Sequence, residues 1–383
     1  MLVSVPHLSL KPSLLIAALS TAAFLAGCAS TPPPPPTFNP ADSAATQAAT
    51  FVGANKPAKN MQKVKKVALT ACNVMFADKS SASASTGAGL FGDPSSGSTR
   101  RVDERVIVVY SMTGLDESVM QKMTDDICND AEKRMASSGL EVVPRTELAK
   151  NENYQKMLEA GRKSPYEFKI GQNTYKVFSA SGSSIFDERY IGTVSGLGQA
   201  FKSAGGGSGI QLETRMMNEL GIDSVQMNML VDFAQVQSDG HAGLANKNRA
   251  KVEGKVQLAV SGDIKVQPVS ELKCWKALGG RTDCMMKNNA SPVFFTKTPV
   301  LAEEQFYKQV RDATTTGDKV ASGVTKGLAM LSAMGGVSSS STSVTRYEVD
   351  VEPTQFAKIG RKYMDGFMDM LFISASNARS GGK

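Results

Sequence analysis

The sequence predicts a mixed α/β (α+β) fold, in which helices flank a β-sheet whose long antiparallel strands lie in the second half of the chain. Residues 67–76, VALTACNVMF, are apolar on both alternating faces, as in a central strand that is covered on both sides. Residues 116–138 repeat apolar side chains at every fourth position, which favours a helix with one buried face. Residues 224–237 and 251–267 alternate apolar and polar side chains around a polar loop, which favours an antiparallel pair.

The remaining elements of the first half follow from local signals. A Ser- and Gly-rich loop, 77–101, separates the first strand from a second strand at 105–111. The apolar stripe of the helix consists of Val119, Met123, Ile127, Ala131 and Met135, flanked by Met120 and Cys128. Residues 140–143 form a short strand that ends at Pro144, and Thr146 caps a helix that ends near residue 160. Residues 166–180 predict a hairpin that turns at 171–173.

The second half is predicted in the same way. A Gly/Ser-rich loop, 181–209, leads to a helix over 210–221 that Gly221 terminates. After the antiparallel pair, the pattern predicts a strand at 291–300, a helix at 301–314 and a strand at 345–353. Pro353 opens the last helix, which ends near residue 374. Its stripe consists of Phe356, Ile359, Tyr363, Phe367 and Leu371.

The amino-terminal segment has the features of an export signal. A short start with one lysine precedes fourteen largely apolar residues, 14–27, which are too few to span a bilayer as a helix. The sequence Leu25-Ala26-Gly27-Cys28 resembles the bacterial lipobox. The resemblance implies that residues 1–27 are a signal peptide and that Cys28 is the acylated first residue of the mature chain. Ala29 then implies export to the outer membrane, facing the periplasm. The alternative is an ordinary signal peptide with a chance cysteine.

Composition predicts flexible segments on both sides of the folded part. Residues 28–60 are rich in Pro and Ala and predict a disordered tether, of which the stretch 30–60 reaches at most about 95 Å. Residues 61–180 form the first α/β part, and 210–376 form an α+β part of the same or a second domain. Residues 377–383 are predicted to be a disordered tail.

The charge balance argues against a nucleic-acid partner. The chain carries 43 Lys and Arg against 36 Asp and Glu, and removing Lys11 with the signal leaves 42 − 36 = +6. The chain has no dense Lys/Arg array with interleaved aromatics. The basic clusters at 59–66 and 246–251 are either solvated surface or contacts for anionic lipid or cell-wall polymer.

Four cysteines remain once Cys28 is lipidated. Cys274 and Cys284 enclose nine residues with two glycines in the middle, so a turn brings them together as a disulfide. Cys72 and Cys128 then either pair by elimination or remain buried thiols.

The sequence offers no catalytic or metal constellation, so we expect neither an enzyme nor a cofactor. His241 is the only histidine outside the signal and lies in a predicted loop. The chain contains neither Gly-x-Ser-x-Gly nor Gly-x₄-Gly-Lys-Ser/Thr. The acidic pairs at 125–126 and 303–304 fall on predicted solvent faces of helices.

The order strand, long helix, strand and helix, with the segment LEVVPRTEL at 140–148, resembles a known periplasmic module. This α/β module is shared by curli-secretion-channel lipoproteins, lipoprotein activators of penicillin-binding proteins and the amino-terminal domain of TolB. The resemblance implies a lipid-anchored scaffold or accessory subunit of a cell-envelope assembly. Its partners would be outer-membrane lipid, through the acyl chains, and other envelope proteins, with a homo-oligomeric ring left open.

Two other functions stay open at this stage. A subunit of an outer-membrane secretion pore would need membrane hairpins, for which the candidate windows are 181–209 and 319–344. The second window is also the candidate surface for self-association. A cell-wall-active hydrolase would need only a carboxylate pair, and a lipoprotein that activates such an enzyme is the related alternative.

Overall fold

A mixed sheet of twelve strands organises the fold, and a separate two-stranded hairpin stands beside it. The computed structural model describes residues 36–85, 102–170, 172–185, 209–241, 249–276, 280, 282–323 and 339–381. The chain divides after Pro36 into two units, and the helices and strands of the described ranges belong to the unit Thr37–Lys383. The two parts that the sequence delimits at 61–180 and 210–376 lie within this one unit.

The helices are α1 (Ala44–Phe51), α2 (Glu117–Ser137), α3 (Arg145–Leu148), α4 (Glu152–Ala160), α5 (Gly209–Leu220) and α6 (Pro353–Arg379). Residues 316–323 are also helical. Two 3-10 segments span Lys56–Lys63 and Val269–Glu271. The strands of the first half are β1 (Val52–Ala54), β2 (Lys66–Ser85), β3 (Val102–Thr113), β4 (Glu141–Val142), β5 (Tyr166–Ile170) and β6 (Asn173–Ser179). Those of the second half are β7 (Asp223–His241), β8 (Arg249–Gln267), β9 (Leu272–Lys276), β10 (Thr282–Met286), β11 (Val293–Thr296), β12 (Val300–Leu301), β13 (Tyr307–Asp312) and β14 (Ser339–Val351).

The sheet order confirms the predicted mixed α/β fold. Its main path is β1-β11-β8-β7-β2-β3-β14-β13. Strand β2 runs parallel to β7, and β3 runs parallel to β14. Strands β7 and β8 form the predicted long antiparallel pair, from Ser224↔Gln267 to His241↔Arg249. The predicted hairpin of β5 and β6 also forms.

Strand β2 lies at the centre of the sheet, and residues 67–77 are buried on both faces. On one face it meets the two long helices: Cys72 is bonded to Cys128 of α2, and the ring of Phe76 lies 6.4 Å from that of Phe356 on α6. Both helices bury the apolar stripes that their spacing predicts, except that Val119 is only half-buried. The core therefore sits between β2 and this helical layer.

The predicted disordered tether is wrong for residues 37–60. Ser43 caps α1 by accepting a hydrogen bond from the Thr46 amide at 3.4 Å, and Phe51 at the end of α1 is buried. Strand β1 then pairs with β11 at the sheet edge. Composition missed this segment because a few apolar side chains are enough to hold it when they dock onto an existing helix rather than form their own core.

Two other segments, predicted to be a loop and a tail, instead continue strand β2 and helix α6. The predicted loop at 77–101 is wrong for 77–85, because β2 continues to Ser85 by pairing with β3. Residues 86–101 lie outside the described residues. The predicted tail at 377–383 is wrong at its start, because α6 continues to Arg379.

The predicted helix at 301–314 is also wrong. Its first residue belongs to β12, and β13 adds to the edge of the sheet by pairing antiparallel with β14. Tertiary pairing with an available strand edge outweighs the weak helical spacing of this segment. The strand predicted at 291–300 divides into β11 and β12, and the helix predicted up to residue 160 divides into α3 and α4. Asn151, rather than Thr146, caps the longer of these by accepting from the Tyr154 amide at 3.1 Å.

Candidate binding site

Both predicted disulfide bonds are present. Cys72 bonds to Cys128 at 1.93 Å between sulfurs, and Cys274 bonds to Cys284 at 2.02 Å. The first is wholly buried between β2 and α2, which decides the open choice between a pair and two free thiols. The second lies in the hairpin of β9 and β10. Cys28 lies outside the described residues.

The disulfide hairpin is held to helix α5 by two contacts. Arg215 donates to the carboxylate of Asp283 at 2.9 Å, and both side chains are mostly buried. The hydroxyl of Thr214 donates to the carbonyl of Cys284 at 2.7 Å. The disulfide joins directly opposed residues of β9 and β10. The contacts that β10 makes with α5 therefore fix both strands of the hairpin to the helix.

One face of the hairpin carries two exposed apolar side chains. Trp275 is 45% exposed and Met285 is 50% exposed. Trp275 is opposite Asp283 in the register, and Met285 follows two residues later, so both side chains lie on the same face. Lys273, opposite Met285, shares this face, and Lys276 is also exposed. Trp275 is the only tryptophan of the chain.

Helix α5 is itself fixed on the sheet by a buried carboxyl group. Glu213 is 1% exposed. Oε1 of Glu213 accepts from Thr70 at 2.9 Å, from Ser224 at 2.6 Å and from Gln226 at 2.7 Å. Its Oε2 accepts from Gln267 at 3.0 Å. Donors from β2, β7 and β8 therefore converge on one side chain of α5, and this network places the hairpin relative to the sheet.

The lysines of the basic cluster predicted at 59–66 lie in different environments. Lys63 and Lys287 both bind Glu271, and their hydrogen bonds, Lys63 first, lower the pKa of that carboxyl. Lys66 pairs with Glu141 at 3.2 Å, whereas Lys59 is exposed at the edge of a cleft. In the second cluster, residues 246–248 lie outside the described residues.

Three of the four carboxylates in the acidic pairs have structural partners. Asp125 accepts from the amide and the hydroxyl of Ser181, each at 2.7 Å, and Asp126 pairs with Lys122 at 2.9 Å. The pair at 303–304 lies between β12 and β13 rather than on a helix, and Glu304 accepts from Tyr363.

The remaining predicted positions fall partly outside the described ranges. His241 is the last residue of β7, opposite Arg249, rather than a loop residue. Within the described ranges, no three His, Cys, Asp or Glu side chains are grouped in a way that would hold a metal ion. None of the helices in these ranges has the length and apolar composition that spanning a bilayer demands. The membrane and self-association windows lie largely in 186–208 and 324–338, which are not described.

No protein-family model matches the chain, and neither a curated protein nor a solved structure shows significant similarity to it. Function therefore has to be inferred from the side chains themselves, above all from those on the exposed face of the disulfide hairpin. Sequence reasoning missed this face. Its one signal was the position of Trp275 next to a cysteine that was predicted to be bonded.

Proposed function

We propose that the chain is a lipid-anchored periplasmic scaffold or accessory subunit of a cell-envelope assembly, which binds another envelope protein through the face of Trp275 and Met285. The observation that carries this proposal is the exposure of both side chains on one face of a disulfide-bonded hairpin. Tryptophan and methionine are enriched in protein interfaces, and tryptophan is among the commonest residues that dominate binding energy.

The attachment of the hairpin supports a binding role. The Cys274–Cys284 bond and the Arg215–Asp283 ion pair hold its face in one arrangement before any partner arrives. A surface that is already ordered loses less conformational entropy on binding. The exposed side chain of Lys273, which shares the face with Trp275 and Met285, favours a partner whose apolar pocket is bordered by a carboxylate.

Two features support the location. Disulfide bonds persist in oxidising compartments such as the bacterial periplasm, and this chain forms two. The lipobox-like sequence ending at Cys28 supplies the anchor. Two or more acyl chains hold a protein on a membrane stably, whereas a single chain does not.

The docking of the amino-terminal segment shortens the tether. Phe38 is buried against Phe51 and Tyr363, so packing among the described residues begins ten positions after Cys28. Even when fully extended, ten residues span at most about 35 Å, against the roughly 95 Å that a tether up to residue 60 would allow.

A photo-crosslinking amino acid at position 275 tests the proposal in cells. The control carries the same amino acid at Lys308, an exposed position on the edge strand β13. We expect a discrete adduct from position 275 and none of the same mass from 308. An adduct of twice the chain's mass would identify a second copy as the partner. The absence of a discrete adduct, or the same adducts from both positions, would contradict a binding role for this face.

A second experiment tests the anchor separately. Cys28→Ala is expected to leave the chain unlipidated. Mass spectrometry of the unaltered mature chain should find an acylated amino-terminal cysteine. An unmodified thiol there would exclude the anchor but leave the hairpin result standing.

A further inference from the structure

A cleft of about 650 Å³ lies where the 3-10 segment Lys56–Lys63, the end of β8 and the turn before β11 meet. It is lined mainly by three lysines and three amides: Lys56, Lys59, Lys265, Asn55, Asn60 and Asn289. We infer that this lysine cleft binds a phosphate-bearing anion. The cleft is separate from the Trp275 face, so the inference holds whether or not that face binds a partner.

The charge around the lysine cleft favours an anion. None of the described residues that line it is acidic. The nearby carboxylate of Glu271 is bound by Lys63 and Lys287, and that of Asp223 accepts from the Val269 amide at 2.8 Å. Asp263 lies two residues before Lys265 on β8, but it is only 2% exposed and does not line the cleft. Lys56 and Lys59, both exposed at the cleft, therefore favour a negative ligand there.

The walls of the lysine cleft are fixed by side-chain hydrogen bonds. The amide of Asn55 donates to the carbonyl of Ser291 at 2.9 Å, and its oxygen accepts from the Val293 amide at 3.0 Å. Asn60 donates to the carbonyl of Ala290 at 2.8 Å. Asn289 immediately precedes these anchors and has φ of 53°, in the left-handed region that asparagine adopts more readily than other non-glycine residues. The hydrogen bonds that follow it hold this wall of the cleft in one arrangement before a ligand binds.

The chemistry of the lining suits phosphate. A lysine ammonium is a compact point charge that binds phosphate oxygens without the planar geometry that arginine imposes. The volume lies within the usual range for small-ligand sites. A lipid headgroup and a soluble phosphate ester present the same group, so the experiment has to distinguish these two sources.

Competition with lysine acetylation tests the inference on the full chain in neutral detergent. Mass spectrometry follows acetylation of Lys56 and Lys59 with inorganic pyrophosphate, with short-chain phosphatidylglycerol, or with short-chain diacylglycerol, which carries no phosphate. Calorimetry measures the affinity of each compound. We expect protection by one or both phosphates and none by diacylglycerol. Protection by phosphatidylglycerol alone assigns the ligand to a lipid headgroup, and protection by pyrophosphate assigns it to soluble phosphates.

A charge-matched pair of variants makes the test specific. The double variant Lys56→Gln/Lys59→Gln should weaken phosphate binding by about tenfold or more, the loss that about 1.4 kcal/mol produces. The control Lys308→Gln/Lys358→Gln removes the same charge from exposed positions on β13 and α6. Equal weakening in both would show a non-specific charge effect and overturn the inference. Binding of neither phosphate compound would also overturn it.

Discussion

The ring of Phe38 lies directly over Gly366 of the last helix, so that a Cβ atom at Gly366 would come within 2.5 Å of the ring. The same ring meets Phe51 at 5.8 Å and Tyr363 at 5.7 Å between centroids. The Phe38 ring packs against Phe51 and Tyr363 and fits over Gly366, which has no side chain. These contacts attach the segment that follows residue 36 to α6.

The first prediction is that Gly366→Ala destabilises the protein. Alanine is the better helix former by about 1 kcal/mol, but overpacking a filled space costs about 1–3 kcal/mol because the Phe38 ring must move. We therefore expect a net loss of about 1 kcal/mol in the free energy of unfolding, measured by urea denaturation with the disulfides intact.

The control is the same change in a Phe38→Ala background. Once the ring is gone, only the helix propensity remains, so Gly366→Ala should then stabilise the protein. A change of sign between the two backgrounds is the signature of a direct contact. The same sign and size in both would show that Phe38 and Gly366 do not interact.

This contact also shows which parts of the fold the sequence could predict. Helices α2 and α6 and strand β2 carry their own periodicity or apolar run, so each was found from a local window. The docking of Phe38 depends on a glycine more than 300 residues away, and no local window contains both. The helix predicted where β13 forms was wrong for the same reason, because the pairing of β13 with β14 is also a long-range contact.

The candidate sites divide in the same way. The Cys274–Cys284 bond was predicted because its turn is local. The exposure of Trp275 was not, since large apolar residues are usually buried and only the packed structure shows an exception. The lysine cleft brings Lys59 together with Lys265, which the sequence separates by 206 positions, and no spacing rule connects them.

The second prediction concerns the buried carboxyl group of Glu213. A glutamine there presents an NH₂ group either to Gln267 or to the three donors at Oε1, so at least one buried donor loses its acceptor. Glu213→Gln should lower the free energy of unfolding by about 1–3 kcal/mol. Glu159→Gln makes the same change at an exposed position of α4 and should stay within about 0.5 kcal/mol. Equal urea midpoints for the two variants would show that the network contributes nothing.

The third prediction compares the two disulfide bonds. Replacing Cys72 and Cys128 by alanine opens a loop of 56 residues, and replacing Cys274 and Cys284 opens one of 10. Chain entropy gives losses of about 4 and about 3 kcal/mol respectively. The first pair is also wholly buried, so its removal leaves a cavity that adds to the cost. Urea denaturation should therefore rank the Cys72/Cys128 variant as the less stable.

Binding should rank the two disulfide variants in the opposite order from stability. The Cys274/Cys284 variant, although the more stable, should lose more of the crosslinked adduct. Loss of Cys274–Cys284 releases the strands that carry Trp275 and Met285, so the crosslinked adduct from position 275 should decrease strongly. Loss of Cys72–Cys128 leaves the hairpin and its contacts with α5 in place. If the adduct falls in proportion to stability in both variants, the hairpin bond has no specific part in binding.

The fourth prediction is a pH dependence at Tyr363, whose hydroxyl donates to Glu304 at 2.7 Å. Burial, and then this hydrogen bond, raise the pKa of Tyr363 to about 12, above the value of about 10 for an unfolded tyrosine. A raised pKa contributes stability that is complete below pH of about 10 and is lost as the pH rises towards 12. Tyr363→Phe should cost about 1 kcal/mol at neutral pH and lack this alkaline loss. The gap in the free energy of unfolding between the two proteins should therefore narrow from pH 10 to 12. Tyr175, whose pKa is also about 12, is present in both and cancels. A gap that stays constant across this range would show that the hydroxyl of Tyr363 is not held in its neutral form by the fold.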